Sequence, residues 1–344
     1  MKVLVTGNLG YIGSVLTEKL SRDGYDVIGL DIGYFKDNLV KEPLQIKKQI
    51  LMDLRDVSEN EIEGVDAIIH LASLSNDPLG EFNPNLTDQI NNHCTVKLAE
   101  IAKKVGVKRF VYASTQSIYG ISNTSQELDE YDSIKNPVSA YAKTKWISEQ
   151  KIMNMSSDKF VVSAFRPATV FGPSPRFRCD IVYNNLTSCA FTTGKIEIYS
   201  DGTPCRPIVH IDDVCEAFIS GLLAPKDLVN KVAFNVGIKG GNYTVKQIAM
   251  AAQNRVKGSE LIFTGKYGKD ERTYKVSFNR IYNVLKEFYK PKWNLENGGD
   301  QLIKFLKEIN LTEETFRGET TNRLKQLKFL SREKYLDKDL KKNV

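Results

Sequence analysis

Tyr141 and Lys145 are four residues apart in a segment, residues 140–155, whose pattern is typical of a helix. Side chains four apart on a helix lie one turn apart on the same face. A phenol with a pKa near ~10 is a poor base at neutral pH, and a nearby ammonium group stabilises its phenolate. The pair could therefore remove a proton from a substrate hydroxyl. Taken alone, the same spacing more often marks an exposed helix face.

Gly7, Gly10 and Gly13 follow a predicted strand, residues 2–6, and open the first predicted helix. In a dinucleotide-binding turn the first glycine permits the tight turn, the second lets a diphosphate approach backbone N–H groups, and the third allows close helix–strand packing. The second predicted strand ends in Asp31, whose carboxylate would accept from the adenosine ribose 2′-OH and repel a 2′-phosphate. These residues predict an NAD site rather than an NADP site.

Strand and helix patterns alternate through the first half of the chain. Such alternation predicts a parallel sheet with helices on both faces, a Rossmann-type doubly wound α/β fold. The predicted strands are 2–6, 26–31, 49–52, 67–71, 109–113 and 160–165, and the predicted helices between them include 15–23, 87–105 and 140–155.

A second, smaller α+β domain is predicted after a Pro- and Gly-rich seam at residues 172–175. Its predicted strands are 196–199, 208–211 and 233–236, and its predicted helices are 214–223, 245–256 and 298–308. The predicted division is therefore an NAD-binding domain over residues 1–172, a mainly substrate-binding domain over 173–314, and a basic tail over 315–344.

Composition excludes several function classes. The 344 residues are 41% hydrophobic and 26% charged, as in ordinary globular proteins, and no apolar run is long enough to span a bilayer. Nine of the Lys and Arg residues stand against four acids in residues 315–344, so most of the net charge of +6 lies there. We expect this tail to form a solvated helix, with a phosphate or partner contact as the alternative, and no nucleic-acid module accompanies it.

Cysteine and histidine usage points to a cytoplasmic protein without a metal centre. The five cysteines are an odd number without a CxxC pair, which is typical of reduced thiols in a cytosol. The three histidines are far apart in the sequence, which disfavours a histidine-based metal site.

The Gly-x-x-Gly-x-x-Gly spacing resembles that of the extended short-chain dehydrogenase/reductase family, specifically its nucleotide-sugar epimerase/dehydratase branch. Further blocks follow in the order typical of that branch: 70–73 (HLAS), 112–120 (YASTQSIYG), 141–145 (YAKTK), 166–173 (RPATVFGP) and 201–214 (DGTPCRPIVHIDDV). The resemblance extends over residues 1–308. It implies a nucleoside-diphosphate sugar as substrate and a homodimer formed through the helix of Tyr141, where Trp146 and Ile147 would face outward.

The resemblance also implies the site residues. The catalytic residues would be Thr115, Tyr141 and Lys145, with Thr115 bonding the substrate oxygen that Tyr141 deprotonates. The NAD-binding residues would be Gly7, Gly10, Tyr11, Ile12, Gly13, Asp31, Asp53, Leu54, Leu71, Ala72, Ser73, Tyr141 and Lys145. Thr115, Gln116, Arg176, Arg206 and Arg272 would bind the substrate, with Arg178 a weaker candidate, because guanidinium groups suit phosphate.

Gln116 and Ser117 discriminate between reactions of the branch. The 4,6-dehydratases carry Asp-Glu at these two positions, whereas an amide cannot abstract a proton at neutral pH. The sequence therefore favours an NAD-dependent 4-epimerase that oxidises C4 transiently. A sugar-nucleotide 4-dehydrogenase or 4-keto reductase using the same residues remains open, as does a non-catalytic NAD-binding protein.

Overall fold

A computed structural model describes residues 1–122, 125–265 and 273–343 of the chain. In these residues the strands, β1 to β14, are Lys2–Thr6, Asp26–Asp31, Lys48–Leu51, Ala67–His70, Arg109–Ala113, Glu127–Leu128, Val161–Pro167, Thr169–Phe171, Lys195–Ile198, Cys205–His210, Val232–Val236, Asn242–Thr244, Glu260–Phe263 and Lys275–Val276. The helices, α1 to α13, are Tyr11–Arg22, Asp77–Gly80, Pro84–Asp88, Cys94–Lys104, Ala140–Met153, Val182–Thr193, Ile211–Leu223, Lys226–Val229, Val245–Arg255, Asn279–Val284, Leu295–Glu308, Glu313–Arg317 and Arg323–Arg332.

Seven of the strands form one parallel sheet in the order β11-β7-β5-β4-β1-β2-β3. The chain leaves β1 toward β2 on one side and leaves β4 toward β5 on the other, so the connections that follow β1 and β4 run in opposite directions. Ligands of doubly wound sheets bind at this switch point. The predicted Rossmann-type fold is confirmed, and the predicted bounds of β1, β2 and β5 match those of the structure.

The strand at 233–236 was expected in the smaller domain, and that placement is wrong. β11 pairs in parallel with β7, placing Val232 opposite Ser163, and forms the outer edge of the large sheet. The chain therefore returns to the NAD-binding domain after the seam. The strand pattern is local, whereas the sheet that a strand joins depends on pairing with residues about seventy positions away.

The rest of the second region is built on three small sheets, β12-β10-β8, β13-β9 and β14-β6. The strands of the first two sheets and the helices α6 and α9 enclose a separate apolar cluster that includes Phe171, Tyr183, Ile208 and Ile248. This region stands beside the carboxyl edge of the large sheet and supplies Arg206 from β10.

The prediction of a solvated helix at the C-terminus is wrong, because helix α13 and the residues after it pack against the NAD-binding domain. Leu327, Leu336 and Leu340 are buried in an apolar cluster with Tyr34 and Leu79 of the NAD-binding domain. The apolar residues of α13 recur at helical spacing, and the many charges between them concealed this buried face in the sequence.

Within the described residues, no helix combines the length and the apolar composition required to cross a bilayer.

A buried ion pair ties α5 to the large sheet. Arg166 on β7 and Glu149 on α5 are 2% and 3% exposed, and the guanidinium also donates to the hydroxyl of Tyr119 at 3.1 Å. Since α5 carries Tyr141, this pair fixes the helix that presents the proposed base.

Glu149→Gln should lower the free energy of unfolding by about 3 kcal/mol, because it leaves the Arg166 charge buried and without its carboxylate. Urea denaturation at neutral pH measures the change, with the exposed Glu100→Gln as control. A loss no larger than that of the control would contradict the assigned role of the pair.

Candidate active site and cofactor cleft

A cavity of about 740 Å³ opens at the carboxyl ends of β1, β4 and β5. All residues predicted to bind NAD line it, together with the three predicted catalytic residues and Arg206. They are Gly7, Gly10, Tyr11, Ile12, Gly13, Asp31, Asp53, Leu54, Leu71, Ala72, Ser73, Thr115, Tyr141, Lys145 and Arg206. The fold therefore brings together residues that are up to two hundred positions apart in the sequence.

The glycine turn between β1 and α1 has no room for side chains. Gly7 has a φ of +73°, and a Cβ there would lie 2.7 Å from the backbone N of Ala72. A Cβ on Gly13 would lie 2.1 Å from the carbonyl oxygen of Gly7. Gly10 precedes α1 without a side-chain cap, so the first N–H groups of the helix are available to an anion. This turn fits the diphosphate of a dinucleotide.

Asp31 is held rigidly at the end of β2. Its Oδ1 accepts from the N–H of Gly33 at 2.7 Å and its Oδ2 from the N–H of Leu9 at 3.1 Å. Burial raises the pKa of this carboxyl, and the two backbone hydrogen bonds oppose the rise. Because a carboxylate has about four acceptor positions, it can also accept from a ribose hydroxyl.

Asp53 stands in the turn after β3, where sequence reasoning placed it. It accepts from the N–H of Arg55, and the Arg55 guanidinium forks onto both carboxylate oxygens at 2.6–3.0 Å. This pairing orients the Asp53 carboxylate at the cavity wall.

Tyr141, Thr115 and Lys145, the three predicted catalytic residues, lie together at the cavity. Burial raises the pKa of Tyr141 to about 12, against the neighbouring Thr115 side chain, which lowers it. Lys145 Nζ donates to the Ala113 carbonyl at 2.8 Å and lies 4.8 Å from the centre of the Tyr112 ring. Burial lowers the pKa of Lys145 to about 7.

The raised pKa of Tyr141 determines what this side chain would need in order to act as a base. A buried phenol whose pKa is about 12 holds its proton at neutral pH. Positive charge beside it, from Lys145 and from an oxidised nicotinamide ring, lowers that pKa. For Tyr141 to act as the predicted base, its pKa would have to fall by this effect when the cleft is loaded.

Two of the predicted substrate residues do not reach the cavity. Arg176 donates to the carbonyls of Phe35 and Lys36 at 3.3 and 3.2 Å, beneath the loop after β2. Gln116 is buried, and its Nε2 donates to the carbonyls of Arg166 and Val236 at 3.0 and 3.2 Å. Both side chains are used for packing the wall behind the site.

Arg206 does reach the cavity, where its Nη1 donates to the Cys205 carbonyl at 2.9 Å. Arg178, the weaker candidate, also lines it, and its guanidinium pairs with Asp180 at 2.8 and 3.1 Å. Arg272 lies outside the described residues.

Sequence reasoning missed Asn76, Gly80, Asp180 and Arg323. A Cβ on Gly80 would lie 2.8 Å from Cβ of Tyr141, so this glycine lets α2 approach the proposed base closely. Asn76, Asp180 and Arg323 line the cavity. The spacing of Arg178 and Asp180 was a usable signal, whereas Arg323 was hidden in the basic tail.

Among the described residues, no group of three or more His, Cys, Asp or Glu side chains is arranged to hold a metal ion.

The low pKa of Lys145 makes stability depend on pH. Between about pH 7 and 10.5 the unfolded chain binds more protons than the native state at this site, so stability rises with pH. In dinucleotide-free protein, the free energy of unfolding should rise from pH 7 to pH 9 by about 2 kcal/mol more in wild type than in Lys145→Met. Parallel pH profiles of the two proteins, in chemical denaturation, would contradict the assignment.

Asp31→Asn should weaken the preference for NAD over NADP by at least about tenfold, because the charge that repels a 2′-phosphate is lost while an acceptor for Gly33 remains. Calorimetric dissociation constants of both dinucleotides measure the ratio, and the exposed Asp37→Asn is the control. An unchanged ratio would show that another feature selects the dinucleotide.

Comparison with known proteins agrees with this cleft. Residues 3–237 match the NAD dependent epimerase/dehydratase family. Protein CapI of Staphylococcus aureus is 30% identical over 243 residues, which cover 67% of this chain and 72% of CapI. UDP-glucose 4-epimerase of Bacillus subtilis (strain 168) is 30% identical over 300 residues, covering 76% of this chain and 84% of that enzyme.

A solved structure of MoeE5 in complex with UDP-glucuronic acid and NAD superimposes with a TM-score of 0.76 at 25% identity, covering 90% of this chain and 99% of MoeE5. The matched residues include the glycine turn, Asp31, Thr115, Tyr141, Lys145 and Arg206, which the fold gathers around one cavity. The chain belongs to the NAD-dependent epimerase/dehydratase family, and its cofactor is NAD.

Proposed function

We propose that the protein is a nucleotide-sugar 4-epimerase that oxidises C4 of a nucleoside-diphosphate sugar transiently. The observation that carries the proposal is that Thr115, Tyr141, Lys145 and Arg206 line one cavity, with the Thr115 side chain beside the Tyr141 hydroxyl. These residues supply a base, a hydroxyl relay, a cation beside the base and a cation for phosphate.

In this proposal, residues of the protein carry out the proton transfers. When bound, NAD accepts a hydride from the sugar carbon and later returns it. Tyr141 Oη removes the proton of the C4 hydroxyl, and Thr115 Oγ1 bonds the same substrate oxygen. Lys145 stabilises the Tyr141 phenolate that accepts this proton. After the 4-keto sugar has turned over, Tyr141 gives the proton back to the same oxygen, so that protons and electrons balance over the cycle.

Arg206 and Arg178 are the proposed contacts for the substrate diphosphate. Arg206 lies at the cavity on β10, and Arg178 is held in place by its fork onto Asp180. We propose UDP as the nucleotide because the Bacillus subtilis relative is a UDP-glucose 4-epimerase and MoeE5 was solved with UDP-glucuronic acid.

Dehydration is disfavoured by the residues after Thr115. Gln116 has no proton affinity to use at neutral pH, and its amide is committed to the carbonyls of Arg166 and Val236. Ser117 lines the cavity, but its hydroxyl is not an acid or base for dehydration at neutral pH.

The homodimer through α5 stays a prediction. Ile147 on that helix is 38% exposed, as a contact residue of such a dimer would be in the single chain.

Incubated with UDP-glucose, the NAD-loaded protein should form UDP-galactose with no accumulation of reduced dinucleotide. Tyr141→Phe should lower kcat by about 10²–10⁴-fold, because the base is lost, while the affinity for NAD is retained. Anion-exchange chromatography of the products and absorbance of the reduced nicotinamide measure the two quantities, with the exposed Tyr131→Phe as control.

Stoichiometric accumulation of reduced dinucleotide would instead identify a dehydrogenase. Turnover by Tyr141→Phe at the wild-type rate would refute the proposed base.

A further inference from the structure

The C-terminal segment, residues 319–343, is docked onto the part of the NAD-binding domain that surrounds Asp31 and Asp53. Asn38 Nδ2, in the loop after β2, donates to the Glu319 carbonyl at 2.9 Å. Arg55, which orients Asp53, donates through Nη1 to the Asp339 carbonyl at 2.7 Å. The segment is therefore connected to the loop after β2 and to the turn after β3.

Helix α13 of this segment begins at the cofactor cavity. Asn322, Arg323 and Leu324 line the cavity together with Gly10 and Gly13 of the glycine turn. Asn322 caps the helix by accepting from the N–H of Lys325 at 3.0 Å. The N-terminus of α13 thus lies at the same cavity as that of α1.

Arg323 is a buried cation with an unused donor. It is 2% exposed, its Nη2 donates to the Arg176 carbonyl at 2.8 Å, and its guanidinium lies 4.6 Å from the centre of the Phe35 ring. Nη1 has no hydrogen-bond acceptor in the part of the chain that the structure describes. A buried donor without an acceptor is costly, and more so when it is charged.

The charges around Arg323 leave an excess of positive charge. Arg176 and Arg178 are close to it, as are the carboxylates of Asp180 and Asp31. The Asp180 carboxylate accepts two hydrogen bonds from the Arg178 guanidinium, and its Oδ2 also accepts from the backbone N–H of Arg323 at 3.3 Å. The Asp31 carboxylate accepts from two backbone N–H groups. Burial and the neighbouring Arg178 lower the pKa of Arg323 to about 9, which still leaves it charged at neutral pH. A bound anion would relieve this imbalance.

We propose that Arg323 Nη1 donates to the diphosphate of NAD, so that the C-terminal segment is part of the cofactor site. The diphosphate of NAD is favoured over that of the sugar nucleotide because Arg323 packs on Phe35, four residues after the predicted ribose-binding Asp31. Of the two proposed contacts for the sugar nucleotide, Arg206 comes from β10 in the other region. The other, Arg178, is close to Arg323 but is paired with Asp180. This inference depends on NAD as the cofactor and not on the 4-epimerase reaction, and Arg323 lies outside the residues 3–237 that match the family.

The test compares Arg323→Gln with Arg332→Gln, a substitution of an exposed arginine on the same helix. After removal of bound dinucleotide, calorimetry gives the dissociation constants of NAD and of UDP for each protein. We expect Arg323→Gln to weaken NAD binding about 10–100-fold, the range for a charge-assisted hydrogen bond, and to leave UDP binding unchanged. Arg332→Gln should match wild type for both ligands.

Thermal unfolding separates a ligand contact from a structural role. Arg323→Gln should reduce the rise in Tm that saturating NAD produces, while the Tm of the dinucleotide-free protein changes little, because a buried and incompletely satisfied charge is removed. Arg323→Lys keeps the charge but loses the planar guanidinium group, so this variant should weaken NAD binding about tenfold. It supplies the measurement if Arg323→Gln does not fold.

Three results would each overturn the proposal. They are an NAD dissociation constant within twofold of wild type, a loss of UDP binding in place of NAD binding, and a fall in the Tm of the dinucleotide-free protein with an undiminished shift by NAD.

Discussion

The close approach of two backbones at the carboxyl edge of the sheet is the constraint on which the rest of the site depends. Gly7 meets Ala72 across the gap between β1 and β4, and Gly13 lies against Gly7 so tightly that no Cβ fits at either glycine. This contact places the N-terminus of α1 at the cavity. Asp31 then bonds the N–H of Leu9 within the same turn, so the diphosphate and ribose ends of the site are fixed to one another.

Two buried cations in the cleft are not fully compensated by anions when no ligand is bound. Lys145 and Arg323 are both buried, and burial lowers the pKa of each. Within the described residues, Lys145 Nζ donates to the carbonyl of Ala113 and Arg323 Nη2 to the carbonyl of Arg176. Anionic groups on the dinucleotide and a phenolate on Tyr141 are the charges that these cations lack. The protein thus stores unfavourable electrostatic energy where its ligand binds, which is a common arrangement at functional sites.

The large sheet and the segments packed against it hold the proposed catalytic residues in place. α5 is tied to β7 by the Glu149–Arg166 pair, and Gly80 lets α2 approach Tyr141. Gln116, beside the proposed catalytic residue Thr115, connects the end of β5 to β7 and β11 through hydrogen bonds to two carbonyls. A residue that sequence reasoning assigned to the sugar therefore positions the strand end instead.

The sequence by itself determined the features that depend on local spacing. The glycine turn, the bounds of β1, β2 and β5, and the one-turn separation of Tyr141 and Lys145 follow from neighbouring residues, since backbone conformation and helical period are local. Tertiary structure alone decided which side chains face the cavity. Arg176 turns under the loop after β2 while Arg178 lines the cleft. β11 joins the large sheet, and Arg323 lines the same cavity as the glycine turn from about three hundred residues away. Side-chain direction and long-range packing are set by contacts among distant segments, which no local pattern records.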